Sequence, residues 1–153
     1  MNGISGPDRS LLRLLQADSG RPRQELAELV GMSPSTLWRK IQDFEAAGLI
    51  RKRVTLLDPD KAGLSVCVFV FINLVDHTKQ TRSRFETFVD RTPQIMESYS
   101  VTGAHDHTLI IREGSVAAFE RLLMEEILAH PSVASATSQL ALRTQKYSTE
   151  LPL

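Results

Sequence analysis

QELAELVGMSPSTLWRKIQDFEAAGLIRKR, residues 24–53, decides how the first third of the chain is read. Gln24–Val30 has the apolar spacing of a short amphipathic helix. Gly31, Met32 and Ser33 break it. Ser33 is a good N-cap, because its hydroxyl can accept from an orphan amide of the next turn. Pro34 then stands at the first helical position, where a missing N–H costs nothing. A second helix is predicted to run to about Ala47, with Gly48 placed to end it in the left-handed conformation. At 100° per residue, Leu37, Ile41 and Phe44 share a stripe that must face a core. Ser35, Arg39, Gln42, Asp43 and Ala46 lie opposite, and Trp38 on the border is read as partly buried against the preceding helix. Arg51, Lys52 and Arg53 follow inside the β-prone run Leu49–Leu57, which reads as a basic two-stranded hairpin. Two helices joined by a tight Gly-containing turn make a helix-turn-helix, and a basic hairpin after them makes it winged.

Such a second helix is thin enough to enter a DNA major groove. Arg39 can fork onto a guanine edge and Gln42 can pair with adenine. Ser33, Ser35, Thr36 and Lys40 complete the candidate contacts of the helix. Arg51, Lys52 and Arg53 would lie beside the phosphate backbone, where cations hold any sequence.

Working outward, Asp8 is expected to cap an earlier helix that buries Leu11, Leu12, Leu14 and Leu15 and ends at Asp18-Ser-Gly20. Residues 8–57 then form the winged helix-turn-helix, and the turn-rich stretch 58–64 forms a linker. The 153 residues carry no net charge, yet residues 1–57 hold a balance of +3 and residues 58–153 one of −3. A basic front and an acidic back suit a nucleic-acid module joined to one that binds something else. A balance of +3 is weak for a lone DNA-binding head, so two or more heads are expected to act together. A single cysteine, Cys67, excludes an internal disulfide, and its apolar surroundings point to an inert buried thiol. The run 66–72 is too short to span a bilayer and residues 1–10 lack an apolar signal region, so a cytoplasmic protein without membrane attachment is expected.

Residues 65–146 alternate in kind: strand 65–76, helix 81–91, strand 95–102, turn 103–106, strand 107–112, a helix from the Ser115 cap to about Ala129, and strand 133–143. The order βαββαβ is the ferredoxin-like plan, an α+β fold with both helices on one face of an antiparallel sheet. Along the first strand Val66, Val68, Val70, Ile72 and Leu74 point one way, and Cys67, Phe69, Phe71 and Val75 the other. Helices cover only one side, so the second apolar face calls for another cover. The same sheet of a second subunit is the simplest.

A winged helix followed by this βαββαβ domain resembles the Lrp/AsnC family, the feast/famine transcription regulators of bacteria and archaea. The resemblance runs from Asp8 to about Lys146 and is carried by residues 31–41, Gly48-Leu-Ile50, Val101-Thr-Gly-Ala-His-Asp106 and His130-Pro-Ser-Val133. Where the family has Gly-Asp-Phe-Asp-Tyr-Leu-Leu, this chain has Gly103-Ala-His-Asp-His-Thr-Leu109, so Ala104, His105, His107 and Thr108 depart. The resemblance implies a homodimer, often assembled further to an octamer. It also implies an amino acid or related effector bound between subunits near that turn. Gly103 and Asp106 carry over as ligand residues, with Ala104 and His105 between them; Thr137 and Gln139 on the last strand are placed at the same site. Asp106 could take a ligand ammonium while turn amides hold its carboxylate. A turn residue bonding local backbone is the plainer alternative.

His105 and His107 would share a face if both lay in a strand, which invites a metal reading, but no third ligand stands near them and none is expected. No nucleophile–base or paired-carboxylate grouping points to an enzyme, and no cofactor is expected. The rival reading is a sirohaem-decarboxylase-like enzyme with the same two-domain plan, supported only by the histidine pair. A third is a metabolite-binding accessory protein that no longer uses its DNA head. The intact basic segment favours the regulator, with double-stranded DNA as its partner.

Overall fold

In the computed structural model, which describes residues 4–153, helix α1 spans Gly6–Ala17 and is capped by Ser5, whose hydroxyl accepts from the Asp8 amide. The expected cap, Asp8, lies instead in the first turn. Pro7 explains the earlier start, since its fixed φ pre-forms the first helical positions. Helix α2 spans Arg23–Leu29 and α3 spans Pro34–Ala46. Between them Gly31 takes φ +66°. Its amide donates to Glu28 O at 3.2 Å and the Met32 amide to Ala27 O at 2.9 Å, which satisfies the last carbonyls of α2. Ser33 caps α3 by accepting from the Thr36 amide. At the far end Gly48, φ +71°, repeats the same closing pattern, with Gly48 donating to Glu45 O and Leu49 to Phe44 O.

Leu11, Leu26, Ala27, Leu37 and Ile41 form the core of this unit, with Phe44 and Ile50 packed against it. Each large aliphatic chain so buried contributes about 1.5–3 kcal/mol, which exceeds the roughly 1 kcal/mol of a typical cap. The expected hairpin does not form: residues 51–57 pair with no other strand among the described residues. A tight hairpin needs Gly, Asn or Asp at its turn, and Leu49–Leu57 contains none. The basic segment therefore runs on singly and exposed.

The chain divides near Leu57, and Gln145–Leu153 joins the first unit rather than the second. The Leu151 amide donates to Gln16 Oε1 at 2.7 Å, while Gln16 Nε2 donates to Leu151 O at 3.2 Å. The Arg13 guanidinium donates to Leu153 O.

The second unit, Leu57–Thr144, begins with a tight turn. Asp58 Oδ1 accepts from the amides of Asp60 and Lys61. Strand β1 spans Val66–Leu74, α4 Lys79–Arg91, β2 Ile95–Ser100, β3 His107–Glu113 and β4 Val133–Leu140. Between β3 and β4, α5 spans Val116–Arg121 and continues as a π-helical stretch, Leu122–Ile127. The sheet is antiparallel with strand order β2-β3-β1-β4, as the ferredoxin-like plan requires.

Val68, Val70, Ile72 and Leu74 are buried with Phe85 of α4 and Phe119, Leu122 and Ile127 of the last helix. β1, β2 and β4 end earlier than their apolar patterns suggest, while β3 runs one residue further, to Glu113. In β1 the register shifts between Asn73 and Leu74, and Asp76 turns to accept from Thr78, which caps α4. Among the described residues no helix is long and apolar enough to cross a membrane.

Candidate functional site

Helix α3 buries Leu37 and Ile41 and turns Ser35, Arg39, Gln42 and Asp43 to solvent, as its periodicity requires. Two neighbours change which of its polar groups are free. Lys40 Nζ bonds Asp8 Oδ1 at 2.6 Å. That bond, with the one from Ser5, holds the Asp8 carboxyl below its usual range. Lys40 thus ties α3 to α1 instead of standing free for a phosphate. Arg53 donates to Glu45 Oε1 at 3.1 Å, so part of its charge is neutralised on α3 itself. Arg39, Arg51 and Lys52 are exposed and have no ion-pair partner among the described residues. Gln42 leans weakly on Glu45 at 3.4 Å. Ser33 and Thr36 are occupied with each other, Oγ to Oγ1 at 2.8 Å, at the cap of the helix. Trp38 is 37% exposed, and the Arg23 guanidinium lies 3.6 Å from its ring centre, so α2 covers one face of the indole.

The second cluster lies on the helix-free face of the sheet. Residues paired across strands share a face, so Phe71 sits with Thr108 and Thr137, and Phe69 with Ile110 and Gln139. Tyr99, opposite Thr108, extends the first row. His105 packs on this face against Phe71, ring centres 5.3 Å apart. Its Nδ1 is buried and has no hydrogen-bond partner. The structure therefore brings His105 to the face that carries Thr137 and Gln139, with Phe71 between the strands. Gly103, at φ +116°, shapes the exposed turn that also holds Ala104. Phe71 was not among the candidates, although the pairing of β1 with β4 was the signal that would have found it.

Asp106 is differently employed. Its Oδ2 accepts from the Leu74 amide at 2.8 Å, beside the irregularity in β1. Its own amide donates to Ile72 O and its carbonyl accepts from Val101. The other carboxylate oxygen lies 3.8 Å from His77 Nδ1. The carboxylate thus ties the turn to the neighbouring strand and offers one oxygen at most to a ligand.

The two histidines do not converge. His105 stacks on Phe71, while His107 is buried on the helical side against Phe85, ring centres 4.8 Å apart. Burial lowers the His107 pKa against the opposing pull of Asp106 and Glu86. A shared metal would need both imidazoles on one face, and they occupy opposite faces.

Both parts of the chain match known protein families. Residues 67–151 match the Lrp/AsnC ligand binding domain, and residues 6–51 match a winged helix-turn-helix DNA-binding domain. The glutamate uptake regulatory protein of Zymomonas mobilis is 34% identical over 146 residues, which are 95% of this chain and 88% of that protein. A transcriptional regulator of Neisseria meningitidis, solved in complex with L-Met, superposes with a TM-score of 0.93 at 28% identity, covering 98% of this chain and 97% of its own. An AsnC family transcriptional regulator of Agrobacterium tumefaciens superposes with a TM-score of 0.92 at 36% identity, covering 97% of each chain.

Proposed function

The chain belongs to the Lrp/AsnC family and is a DNA-binding transcription regulator, and on that premise we propose how its residues divide the work. Residues 8–57 form the DNA head and residues 65–146 the ligand-binding and assembly domain, joined by the turn at 58–64. Arg39 and Gln42 read bases, with Ser35 beside them, while Arg51 and Lys52 hold phosphates. Ser33 and Thr36 present the N-terminus of α3, and Lys40 fixes its angle through Asp8. The relatives named above are regulators, and the enzymatic alternative finds no support among them.

The effector is an amino acid or a close derivative, bound at the Gly103–Asp106 turn beside Phe71, Thr137 and Gln139. The observation that carries this is the orphan His105 Nδ1, a buried polar atom that a ligand or a partner subunit would satisfy. The Neisseria regulator's complex with L-Met supports the ligand class. Two copies join through the helix-free sheet faces, and such dimers assemble further, up to octamers. The protein works in the cytoplasm, where its DNA is.

Binding isotherms on a selected operator and on a scrambled duplex test the DNA reading. Arg39→Ala should weaken the operator by about 1–3 kcal/mol and relax base preference. Arg51→Ala with Lys52→Ala should weaken both duplexes alike and flatten the salt dependence. Equal losses on the two duplexes for Arg39→Ala would remove it from base reading. Calorimetry with an amino-acid panel tests the effector site: His105→Ala and Thr137→Ala should lower affinity, and no heat from any amino acid would refute the assignment.

A further inference from the structure

On the helical side of the second unit, an open groove of about 860 Å³ runs along α4 to the end of the last helix. Helical periodicity explains what lines it. Lys79, Ser83, Thr87 and Arg91 repeat at intervals of four, and Arg84 and Phe88 form the adjacent row. The acids of α4, Glu86 and Asp90, fall outside the groove and line a separate small pocket with His107. Charge is therefore segregated on this helix. No acid of α4 stands three or four residues from Lys79, Arg84 or Arg91, the spacing at which a helix pairs opposite charges, and the three have no ion-pair partner among the described residues. The one acid at the groove, Glu126, comes from the π-helical stretch.

The floor is aromatic. Phe88 and His130 are both half-buried, with ring centres 4.8 Å apart and planes tilted by 35°. The His130 ring also has a defined tautomer. Its Nδ1 accepts from the Ser132 amide at 3.2 Å, so in the neutral ring the proton resides on Nε2. With Glu126 aside, the groove offers three cations, hydroxyls, an imidazole N–H and a flat apolar floor. Such a set is complementary to an anion that carries a planar ring.

We propose that this groove binds a nucleoside polyphosphate, its base over the Phe88–His130 pair with Arg91 beside it, and its phosphates towards Arg84 and Lys79. Guanidinium groups fork onto phosphate oxygens, and an aromatic pair stacks on any base. A regulator so equipped would report the nucleotide pool at a place separate from its amino-acid site.

The test is calorimetry on the full chain with ATP as probe, and with pyrophosphate and adenosine as its two halves. ATP should bind saturably, pyrophosphate more weakly and adenosine most weakly. The double variant Arg84→Glu, Arg91→Glu should raise the ATP dissociation constant by about tenfold or more. Arg82→Glu, set against Arg84→Glu alone, is the charge-matched control, because Arg82 lies on α4 but outside the groove; it should change affinity by less than about twofold at physiological salt. In NMR, ATP should shift the His130 imidazole resonances and leave those of His105, which stacks on Phe71 on the helix-free face of the sheet, in place. No saturable ATP binding at millimolar concentration overturns the proposal. So does equal loss in Arg82→Glu, which would show diffuse attraction only. Loss of DNA affinity in the double variant without any ATP binding would assign the cations to nucleic acid and equally overturn it.

Discussion

Asp106, just before β3, is bonded twice to β1 and once to the residue that follows β2, with its amide on Ile72 O, its carboxylate on the Leu74 amide and its carbonyl on the Val101 amide. Leu74 is buried, so removing that carboxylate leaves a buried amide without an acceptor. Asp106→Ala should therefore cost about 1–3 kcal/mol of stability, and Asp106→Asn, which keeps an acceptor oxygen, should recover most of it. Urea unfolding followed by circular dichroism measures both; an Ala variant as stable as the parent would show that water replaces the carboxylate. The same contrast governs effector studies, since lost affinity in the Ala variant would mix a distorted turn with a lost ligand contact. Asp106 could be placed in a turn from sequence because Gly103 and the polar residues around it are local signals. Its bond to Leu74 spans 32 residues and depends on how two strands pair. Lys40 repeats the lesson. Its place on α3 follows from periodicity, but its bond to Asp8, also 32 residues away, does not.

Among the elements, α4 carries consequences for pH. Phe85 of this helix packs against His107 at 4.8 Å, and Phe88 packs against His130 at 4.8 Å. Burial lowers the pKa of both imidazoles, and the Arg84 charge adds to the effect at His130. Both rings are therefore held neutral in the folded chain at pH values where the unfolded chain begins to bind protons. A depressed folded pKa gives stability that is fully present above the unfolded value of about 6.5 and is lost as pH falls towards the folded one. The unfolding free energy should accordingly decline from about pH 6.5 downwards. His107→Gln should flatten that decline, and His130→Gln should flatten it further. Denaturant titrations at a series of pH values decide this, and a slope unchanged in both variants would locate the acid sensitivity elsewhere.

The elements themselves were legible where their signals are local. Ser33-Pro34 and Gly48 mark the ends of α3 within one or two residues, because caps and left-handed glycines act on the neighbouring turn. The wing and the π-helical stretch were not. A basic β-prone run does not show whether a partner strand is available, and a π turn differs from an α turn only by which carbonyl the Leu128 amide selects, here Leu123 O.

At the scale of the whole molecule, the sheet has one face sealed by helices and one face open in the single chain. Val68 and Val70, on the sealed face, are 1% and 0% exposed. Phe69 between them is 37% exposed, and Tyr99 on the same open face is 53% exposed. This face continues through half-buried Phe71 and Ile110, flanked by Thr108, Thr137 and Gln139, so it carries an apolar strip of the kind that marks a subunit contact. An isologous dimer would stack two such faces and bring two DNA heads into one particle. That pairing would make up for the weak charge of each head, since linked heads bind with far greater avidity than one alone. Phe69→Asp tests the arrangement cleanly, because the change lies opposite the sealed core and should spare the fold of the single chain. It would place an unpaired charge in the contact and weaken dimerisation by several kcal/mol, a factor of a hundred or more at roughly 1.4 kcal/mol per tenfold. Light scattering at micromolar concentration should show the parent as a dimer or larger and the variant as a folded monomer, with its circular dichroism unchanged. The monomer should in turn bind operator DNA much more weakly, although Arg39, Arg51 and Lys52 are intact. A parent that scatters as a monomer, or a monomeric variant that binds DNA as tightly as the parent, would break the link between the open sheet face and the cooperation of the heads.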